Sequence, residues 1–371
     1  MELGAWSYVG AFGISALLAL FLTPVALRVA LSREVLDHPG HYKTQESPVP
    51  YLGGVAIVLS FSLTILLAGV INPPASGIPQ LFVMLALGVG LSLVGLADDL
   101  RGLSPLLRIG AQVAAAIAIW WSGVEVSLFD HPIPDAILTV IWIVGITNAF
   151  NLLDNMDGLS AGIATIAAVF FFIIAVINGQ FLVAGLSIAL AGCAIGFLRH
   201  NFHPARIYMG DAGSLFLGFL LAVLGIKLRF DAPPEITFMV PILVLGVAIL
   251  DTTLVTVTRL VNGRNPLSGG RDHISHRLVF VGIPVRAAVA LVYAAGIALG
   301  WLAIVMSQVD RSTGFILMGF VVAVSIFVAI MLGLIPVHEQ SRRRRMMIME
   351  VVPHEEHSGP PDNQEAASEA L

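Results

Sequence analysis

The stretch 148–162, NAFNLLDNMDGLSAG, places two Asp and three Asn residues between two apolar segments. Residues 136–147 read AILTVIWIVGIT and residues 163–177 read IATIAAVFFFIIAVI, and both sequences suit a hydrocarbon environment. Charged side chains are costly near hydrocarbon, and those that are retained there usually serve a function. The interruption therefore predicts an all-α membrane protein with a polar site at the ends of its helices.

The composition also indicates a membrane protein. Hydrophobic residues make up 57% of the 371 residues, charged residues make up 12%, and the mean hydropathy is +0.91. Such a chain has too little polar surface to form a soluble globule. Continuous apolar runs, far longer than the strands of a β-barrel, predict about eleven transmembrane helices. They lie at 6–31, 52–71, 79–97, 105–122, 136–150, 159–177, 181–198, 212–228, 237–259, 285–307 and 314–337.

The distribution of basic residues predicts the orientation, because Lys and Arg gather in cytoplasmic loops. With eleven crossings, only Lys227, Arg229 and Arg311 fall on the side opposite the other basic residues. The N-terminus is therefore expected outside and the C-terminus inside. Residues 1–337 form one predicted membrane domain, and residues 338–371 form a basic, then acidic tail that we expect to be disordered in the cytoplasm.

Four polar insertions map to the predicted cytoplasmic ends of the helices. They read GLADDLRGLSP from Gly95, NAFNLLDNMDGLSAG from Asn148, NFHPARIYMGDAGS from Asn201 and GGRDHISHRL from Gly269. Because each contains carboxylate or imidazole groups and all lie at one face, we expect a shared, water-accessible cleft between helices. The single cysteine, Cys193, lies inside an apolar run and is expected to be a packed, inert thiol.

The acidic residues of the first two insertions favour a cation. Asp98 and Asp99 are adjacent, and such crowding raises one pKa or calls for a cation, although a turn or capping pair is the alternative. Asn151, Asp154 and Asp157 follow each other at a spacing of three, so a helical turn would align them on one face. Helix capping would explain only one of these acids. Oxygen ligands grouped in this way suit Mg²⁺.

The other two insertions favour phosphate. Asp211 precedes small residues at a predicted helix start, where amide groups and the helix dipole attract anions, although a simple N-cap is an equal alternative. The loop at 269–278 brings Arg and His side chains after two glycines, a composition suited to binding phosphate. No Cys or HExxH pattern supports zinc. Carboxylates for Mg²⁺, basic groups for phosphate and a membrane cleft together predict phosphoryl chemistry on a lipid.

The four motifs, in this order, resemble the polyprenyl-phosphate N-acetylhexosamine-1-phosphate transferases over roughly residues 10–335. That family includes the lipid I synthases and the undecaprenyl-phosphate GlcNAc-1-phosphate transferases. The resemblance implies that a UDP-N-acetylhexosamine gives its sugar 1-phosphate to a polyprenyl phosphate and releases UMP. It also implies Mg²⁺, which Mn²⁺ can replace, and a multi-pass protein of a bacterial plasma membrane with a cytoplasmic active site.

The resemblance also implies roles for individual residues. Asp98 faces the acceptor phosphate, with a role as general base left open, and Asp99 supports Asp98. The remaining positions are a metal pair, a nucleotide group and a phosphate or sugar group. The metal pair is Asp211 and Asp157, the nucleotide group is Lys43, Asn151, Asp154, Asn201 and Tyr208, and the phosphate or sugar group is Arg271, His273, His276 and Arg277. Taken alone, Lys43 is better explained as a solvated surface lysine.

The sequence 271–277, RDHISHR, is closer to the GlcNAc-1-phosphate transferases than to the consecutive-histidine loop of the lipid I synthases. Asp251 fits the same group, although hydrogen bonding to a neighbouring Thr would also explain it. Ser275 departs from the commoner His-x-His-His pattern, so the sugar stays open and a lipid I synthase is the alternative. A secondary transporter would need carboxylates near the midplane, and a membrane scaffold would leave the acids unexplained. No nucleic-acid partner is expected, and a homodimer is an open option.

Overall fold

The computed structural model describes residues 4–37, 48–71, 73, 77–129, 131–229, 232–266 and 268–335. Within them the chain is helical apart from a two-stranded antiparallel ribbon that pairs Leu36 with Pro50. The elements are α1 (Ala5–Ser32), β1 (Leu36–Asp37), β2 (Val49–Pro50), α2 (Gly53–Ile71), α3 (Ile78–Arg101), α4 (Pro105–Trp121), α5 (Pro132–Leu153), α6 (Leu159–Ile177), α7 (Phe181–Asn201), α8 (Gly210–Lys227), α9 (Pro234–Val244), α10 (Gly246–Val261), α11 (Ile274–Phe280), α12 (Val285–Met306) and α13 (Arg311–Gly333). Lys43 and the predicted tail lie outside the described residues.

Nine of the described helices are long and apolar enough to cross a membrane, which makes the chain an all-helical polytopic membrane protein. The predicted span at 105–122 is α4, an apolar helix of 17 residues. The predicted span at 136–150 is longer than expected, because α5 runs over 22 residues. The number of crossings and their orientation therefore stay predictions.

The predicted single span at 237–259 is broken. It consists of α9 and α10, whose axes differ in direction by 76°. Pro241 lies inside α9 and has no backbone N–H, so it weakens the helix just before the break. Leu245 then leaves the helical conformation, with φ −95° and ψ 9°. Beyond the break, α10 carries Asp251, which contacts the fourth polar insertion.

Helix α8 is the centre of the bundle. Every side chain from Ala212 to Ile226 is buried, whereas Gly314 is the only buried residue of α13. The close approach of α3 to α8 depends on Gly95, because a Cβ atom there would lie 2.6 Å from the backbone nitrogen of Ala212. The third insertion, which ends in the first turn of α8, therefore packs directly against the paired acids of the first.

Candidate active site

The structure brings the four polar insertions together at one end of the bundle. The backbone N–H of Asp211 donates to Asp99, and Asn151 Nδ2 donates to Asp211 Oδ1 over 2.8 Å. His203 Nδ1 lies 2.8 Å from Asp157 Oδ2, and Ser275 Oγ donates to Asn155 over 2.7 Å. Each insertion is thus hydrogen-bonded to at least one other, as the predicted shared cleft requires.

Asp99 is held by the start of α8. Its two carboxylate oxygens accept from the backbone N–H groups of Asp211 (2.9 Å) and Ala212 (3.2 Å), so it caps a helix that lies far away in sequence. Gly210 makes this possible, because its φ of 66° is a left-handed conformation and a Cβ atom there would collide with the Asp99 carboxylate. The Tyr51 hydroxyl donates to the Asp99 carbonyl over 2.7 Å. Asp99 therefore acts as a cap, but of α8 and not of the turn between α3 and α4 that the alternative predicted.

Asp98 faces a different partner. Its Oδ2 lies 2.7 Å from Arg108 Nη1, and the same nitrogen pairs with Asp211. Its Oδ1 accepts from the Leu103 N–H over 2.5 Å. Arg108 therefore lies between two partly exposed carboxylates and offsets their charge. Sequence reasoning had placed Arg108 only among the cytoplasmic basic residues; the available signal was a basic side chain in the first turn of an apolar helix.

Asp211 is not the simple N-cap of its own helix. Its carboxylate accepts from Asn151 and pairs with Arg108, and Asn151 also donates to Ser214 Oγ over 3.0 Å. The Asp211 side chain thus points toward polar side chains of α4 and α5.

The turn between α5 and α6 differs from the prediction that Asn151, Asp154 and Asp157 share one helical face. Helix α5 ends at Leu153, and Asp154 leaves the helical conformation with ψ 48°. The chain then turns through Gly158, whose φ is 76°. Burial, followed by the charges of Asp211, Asp99 and Asp157, raises the pKa of Asp154 to about 8. Asp154 is therefore surrounded by other carboxylates, and the group as a whole has an excess of negative charge.

Asp157 and Asn201 fix the neighbouring loop. Asp157 Oδ2 lies 2.8 Å from His203 Nδ1 and accepts from the Ala205 N–H over 3.0 Å. Asn201 is buried, accepts from the Gly158 N–H and donates to the Ile207 carbonyl, each over 3.0 Å. Asn201, predicted to bind nucleotide, has its side chain engaged within the chain and supports the loop that carries Tyr208.

Tyr208 stands beside this loop with a partly exposed ring. Its backbone is held by the end of β2 and the start of α2, because its N–H donates to the Pro50 carbonyl (2.8 Å) and its carbonyl accepts from the Gly53 N–H (3.0 Å). Burial, and then the charge of Asp157, raises the pKa of the Tyr208 phenol, which keeps it neutral. A neutral aromatic ring at the edge of the acidic group is available for stacking.

The donor set fits a divalent cation in its chemistry. The carboxylates of Asp99, Asp154, Asp157 and Asp211 lie near one another, with Arg108 as a neighbouring cation. Burial is the main cause of the raised pKa of Asp154, and the charges of the other three carboxylates add to it. Hard oxygen ligands of this kind suit Mg²⁺. Within the described ranges, no three His, Cys, Asp or Glu side chains already converge as a finished metal site. The residues present therefore supply the charge for a cation, with substrate phosphate or water left to complete its ligands.

The histidine loop, residues 269–278, packs against α10. His273 Nδ1 lies 2.7 Å from Asp251 Oδ2, and the Ile274 N–H donates to Asp251 Oδ1 over 2.7 Å. Asp251 thus binds the loop, and the alternative that it only serves a neighbouring Thr is wrong. Burial, and then the charge of His273, lowers the pKa of His276 to about 4. His276 is therefore neutral near pH 7, and it can offer phosphate a hydrogen bond but no charge.

A buried ion pair holds the base of this loop. Arg259 donates to Asp272 through Nε (2.8 Å) and Nη2 (2.6 Å), and its Nη1 donates to the carbonyls of Pro266 and Ser268. Both side chains are buried. Although burial pushes the pKa of Asp272 upward, the hydrogen bonds and charge of Arg259 hold it below its ordinary value. Sequence reasoning missed this pair, because the two residues are separated by a loop and neither belongs to a recognisable spacing.

Arg277 is turned away from the acidic group. Its Nε donates to the Asp272 carbonyl over 2.7 Å, and its Nη1 donates to the Leu332 carbonyl over 2.8 Å at the end of α13. The side chain is buried, so the predicted phosphate- or sugar-binding role does not agree with its position. Arg271 remains near His276, whose pKa its charge helps to lower.

Comparison with known proteins gives a consistent group of relatives. Residues 81–229 match the family described as "Glycosyl transferase family 4". The chain is 36% identical over 313 residues to the probable undecaprenyl-phosphate N-acetylglucosaminyl 1-phosphate transferase of Bacillus subtilis (strain 168), covering 81% of this chain and 85% of that protein. It is 32% identical over 358 residues to the decaprenyl-phosphate N-acetylglucosaminephosphotransferase of Mycolicibacterium smegmatis, covering 87% and 86%.

A second kind of relative is also similar. The phospho-N-acetylmuramoyl-pentapeptide-transferase of Bacillus pumilus is 32% identical over 241 residues, which is 59% of this chain and 74% of that protein.

Proposed function

Because the chain belongs to glycosyl transferase family 4, among the polyprenyl-phosphate N-acetylhexosamine-1-phosphate transferases, we propose that it transfers GlcNAc-1-phosphate from UDP-GlcNAc to a polyprenyl phosphate. An oxygen of the acceptor phosphate attacks the sugar-linked phosphorus of the donor. A new phosphoanhydride bond forms, the bond to the uridine-linked phosphate breaks, and UMP leaves with the bridging oxygen.

The observation that carries the proposal is the Asp98–Arg108–Asp211–Asn151 network. It joins the ends of α3, α4, α5 and α8, with Arg108 Nη1 2.7 Å from Asp98 Oδ2 and Asn151 Nδ2 2.8 Å from Asp211 Oδ1. Two phosphate-bearing substrates require such a group, because acids hold a cation or accept a proton while an arginine binds phosphate oxygens. The network lies at helix ends, where a lipid acceptor can reach it from the side.

The two adjacent acids take unequal roles in this proposal. Asp98 accepts one backbone N–H through Oδ1 and pairs with the Arg108 side chain through Oδ2, so Oδ2 is the atom that we assign to the acceptor phosphate and its proton. Asp99 is committed to two backbone N–H groups of α8, and it positions Asp211. Direct attack by the acceptor follows as the expected route.

We assign Mg²⁺, replaceable by Mn²⁺, to Asp211 and Asp157, and we assign Asp154, whose carboxylate lies beside theirs, to the nucleotide. When bound, the cation neutralises the charge that accumulates as two phosphate groups approach each other. Asn151 orients the Asp211 carboxylate, and Asn201 keeps the turn around Gly158 in place.

On the donor side, we assign uracil stacking to Tyr208 and phosphate or sugar contacts to Arg271, His273 and His276. Lys43 is assigned to the nucleotide from its sequence position alone. We further propose that this end of the bundle faces the cytoplasm of a bacterial cell with the N-terminus outside. Residues 1–337 then form the transferase domain, and Arg342–Arg345 in the tail bind anionic lipid.

The test uses purified full-length protein in liposomes with undecaprenyl phosphate and UDP-GlcNAc radiolabelled in the sugar. The expected products are a lipid-linked sugar and an equal amount of UMP, and excess EDTA should abolish both. Turnover that persists unchanged in EDTA would contradict the metal assignment. Uptake of intact UDP-GlcNAc into sealed vesicles without a lipid product would contradict the transferase.

A parallel reaction with UDP-MurNAc-pentapeptide distinguishes the lipid I synthases, to which part of the chain is also similar. We expect no product from this donor, because the relatives named for GlcNAc transfer match more of the chain. Efficient reaction with the pentapeptide donor and none with UDP-GlcNAc would reassign the chain within the family.

A further inference from the structure

We propose that the hydrogen bond between Ser275 and Asn155 is a clamp that joins the two walls of the site and sets its affinity for the nucleotide-sugar donor. Ser275 Oγ donates to Asn155 Oδ1 over 2.7 Å across 120 positions of sequence, and Ser275 is 1% exposed. The substrate side of this inference rests on the proposed function, but the clamp itself rests on the contact.

Both partners are held in place by other bonds, which makes the contact specific. Asn155 Nδ2 donates to the Leu152 carbonyl over 2.7 Å, which turns Oδ1 toward Ser275. On the other side, the start of α11 is fixed because the Ile274 N–H donates to Asp251 over 2.7 Å. A serine hydroxyl that is buried between two fixed segments has lost its water, so losing its partner would leave a polar group unsatisfied.

The location of the bond gives it a functional meaning. Asn155 lies between Asp154 and Asp157 in the acidic turn, and Ser275 lies between His273 and His276 in the histidine loop. These two segments come from distant parts of the chain and have their own supports, the first in α5 and α6 and the second in α10. The clamp therefore fixes the separation between the acids and the imidazoles that a single diphosphate must bridge.

Neither partner needs to touch the reacting phosphorus. Ser275 and Asn155 are positioning residues, and their loss should change how well the donor is bound more than how fast the bound donor reacts. One hydrogen bond of this kind changes an equilibrium by about 3- to 10-fold.

The experiment is a double-mutant cycle on the full-length protein, with Ser275→Ala, Asn155→Ala and the combination. Each single variant should raise the KM for UDP-GlcNAc by about 3- to 10-fold, with kcat and the KM for polyprenyl phosphate close to wild type. The KM of the double variant should be no higher than that of the more impaired single variant, because both substitutions remove the same bond. Ser268→Ala is the matched control, since the Ser268 hydroxyl donates to the Asn265 carbonyl over 2.7 Å in the segment just before the histidine loop.

Hydrogen–deuterium exchange of residues 271–280 supplies a readout that needs no turnover. Exchange should be faster in both single variants than in wild type and unchanged in Ser268→Ala. Additive losses in the double variant, or unchanged exchange in Ser275→Ala, would overturn the clamp. If wild-type protein fails to use UDP-GlcNAc while exchange still responds as expected, the proposed donor is wrong and the clamp stands.

Discussion

The paired acids allow a sharp test, because Asp98 and Asp99 are neighbours in sequence with different partners. In Asp99→Ala, α8 loses both acceptors of its first N–H groups, a cap worth about 0.5–2 kcal/mol. It also loses a negative charge near the helix N-terminus, worth about 0.3–1 kcal/mol. Relief of repulsion from Asp98 and Asp211 acts in the opposite direction. We expect Asp99→Ala to lower the free energy of unfolding by about 1–2 kcal/mol.

Replacing each acid in turn by Asn separates the capping role from the catalytic role. Asp99→Asn keeps one acceptor oxygen for α8, so its free energy of unfolding should change by less than about 1 kcal/mol, and measurable turnover should remain. Asp98→Asn leaves the cap of α8 untouched. If Asp98 acts as the base, turnover in this variant falls by about 10²- to 10⁴-fold, with the largest loss at low pH.

The assay pairs initial rates of lipid-linked product with unfolding in mixed micelles, measured on the same preparations from pH 6 to 9. Near-normal kcat in Asp98→Asn across this range would remove Asp98 from the chemistry. A folded Asp99→Asn protein that is as inactive as Asp98→Asn would show that Asp99 also contacts the reacting groups.

Three further outcomes are expected. Asp154 has a pKa of about 8 in the folded chain, against about 3.9 in the unfolded chain, so between these values the folded state binds one more proton. The free energy of unfolding in EDTA should therefore fall as pH rises from about 4 to about 8. Asp154→Asn should flatten this profile in unfolding scans, and a profile unchanged by the substitution would contradict the raised pKa of Asp154. Arg259→Met removes two hydrogen bonds from the buried Asp272 carboxylate and leaves it the longer 3.6 Å contact with Arg264. This substitution should cost about 3 kcal/mol in the same scans, whereas Arg259→Met combined with Asp272→Leu should cost much less. Equal losses would mean that the pair carries no buried charge. A long polyprenyl phosphate should have a far lower KM than a short soluble isoprenyl phosphate, because each buried CH₂ contributes about 0.8 kcal/mol; equal KM values would argue against delivery through the bilayer.

The sequence predicted the features that follow from local composition. Apolar runs predicted the helices, and acids placed at the ends of those runs predicted which segments would meet. The break between α9 and α10 was missed, because Pro241 is tolerated in many membrane helices and only packing decides whether the helix continues beyond it. The spacing of Asn151, Asp154 and Asp157 was misleading for a similar reason: the pattern fits a helix that in fact ends at Leu153.

The partners of the charged groups could not be predicted at all. Arg108 and Arg259 have no sequence signal beyond their charge, and their roles come from carboxylates on other elements. Asp99 was expected to support Asp98, and the structure instead has it capping a helix that begins 111 positions later, at Gly210. Long-range contacts of this kind depend on how helices pack. Residue types could therefore indicate a phosphate and metal chemistry without indicating which side chains pair with each other.

The lone thiol of this chain makes it convenient for chemical labelling. Cys193 is the single cysteine and is fully buried in α7, so any cysteine introduced at the surface becomes the one reactive label site. Ser104 and Ser127 are both exposed and flank α4, one near the paired acids and the other beyond the opposite end of that helix. In intact cells, a membrane-impermeant maleimide should therefore label Ser127→Cys and spare Ser104→Cys, and the reverse pattern would invert the topology of the whole protein.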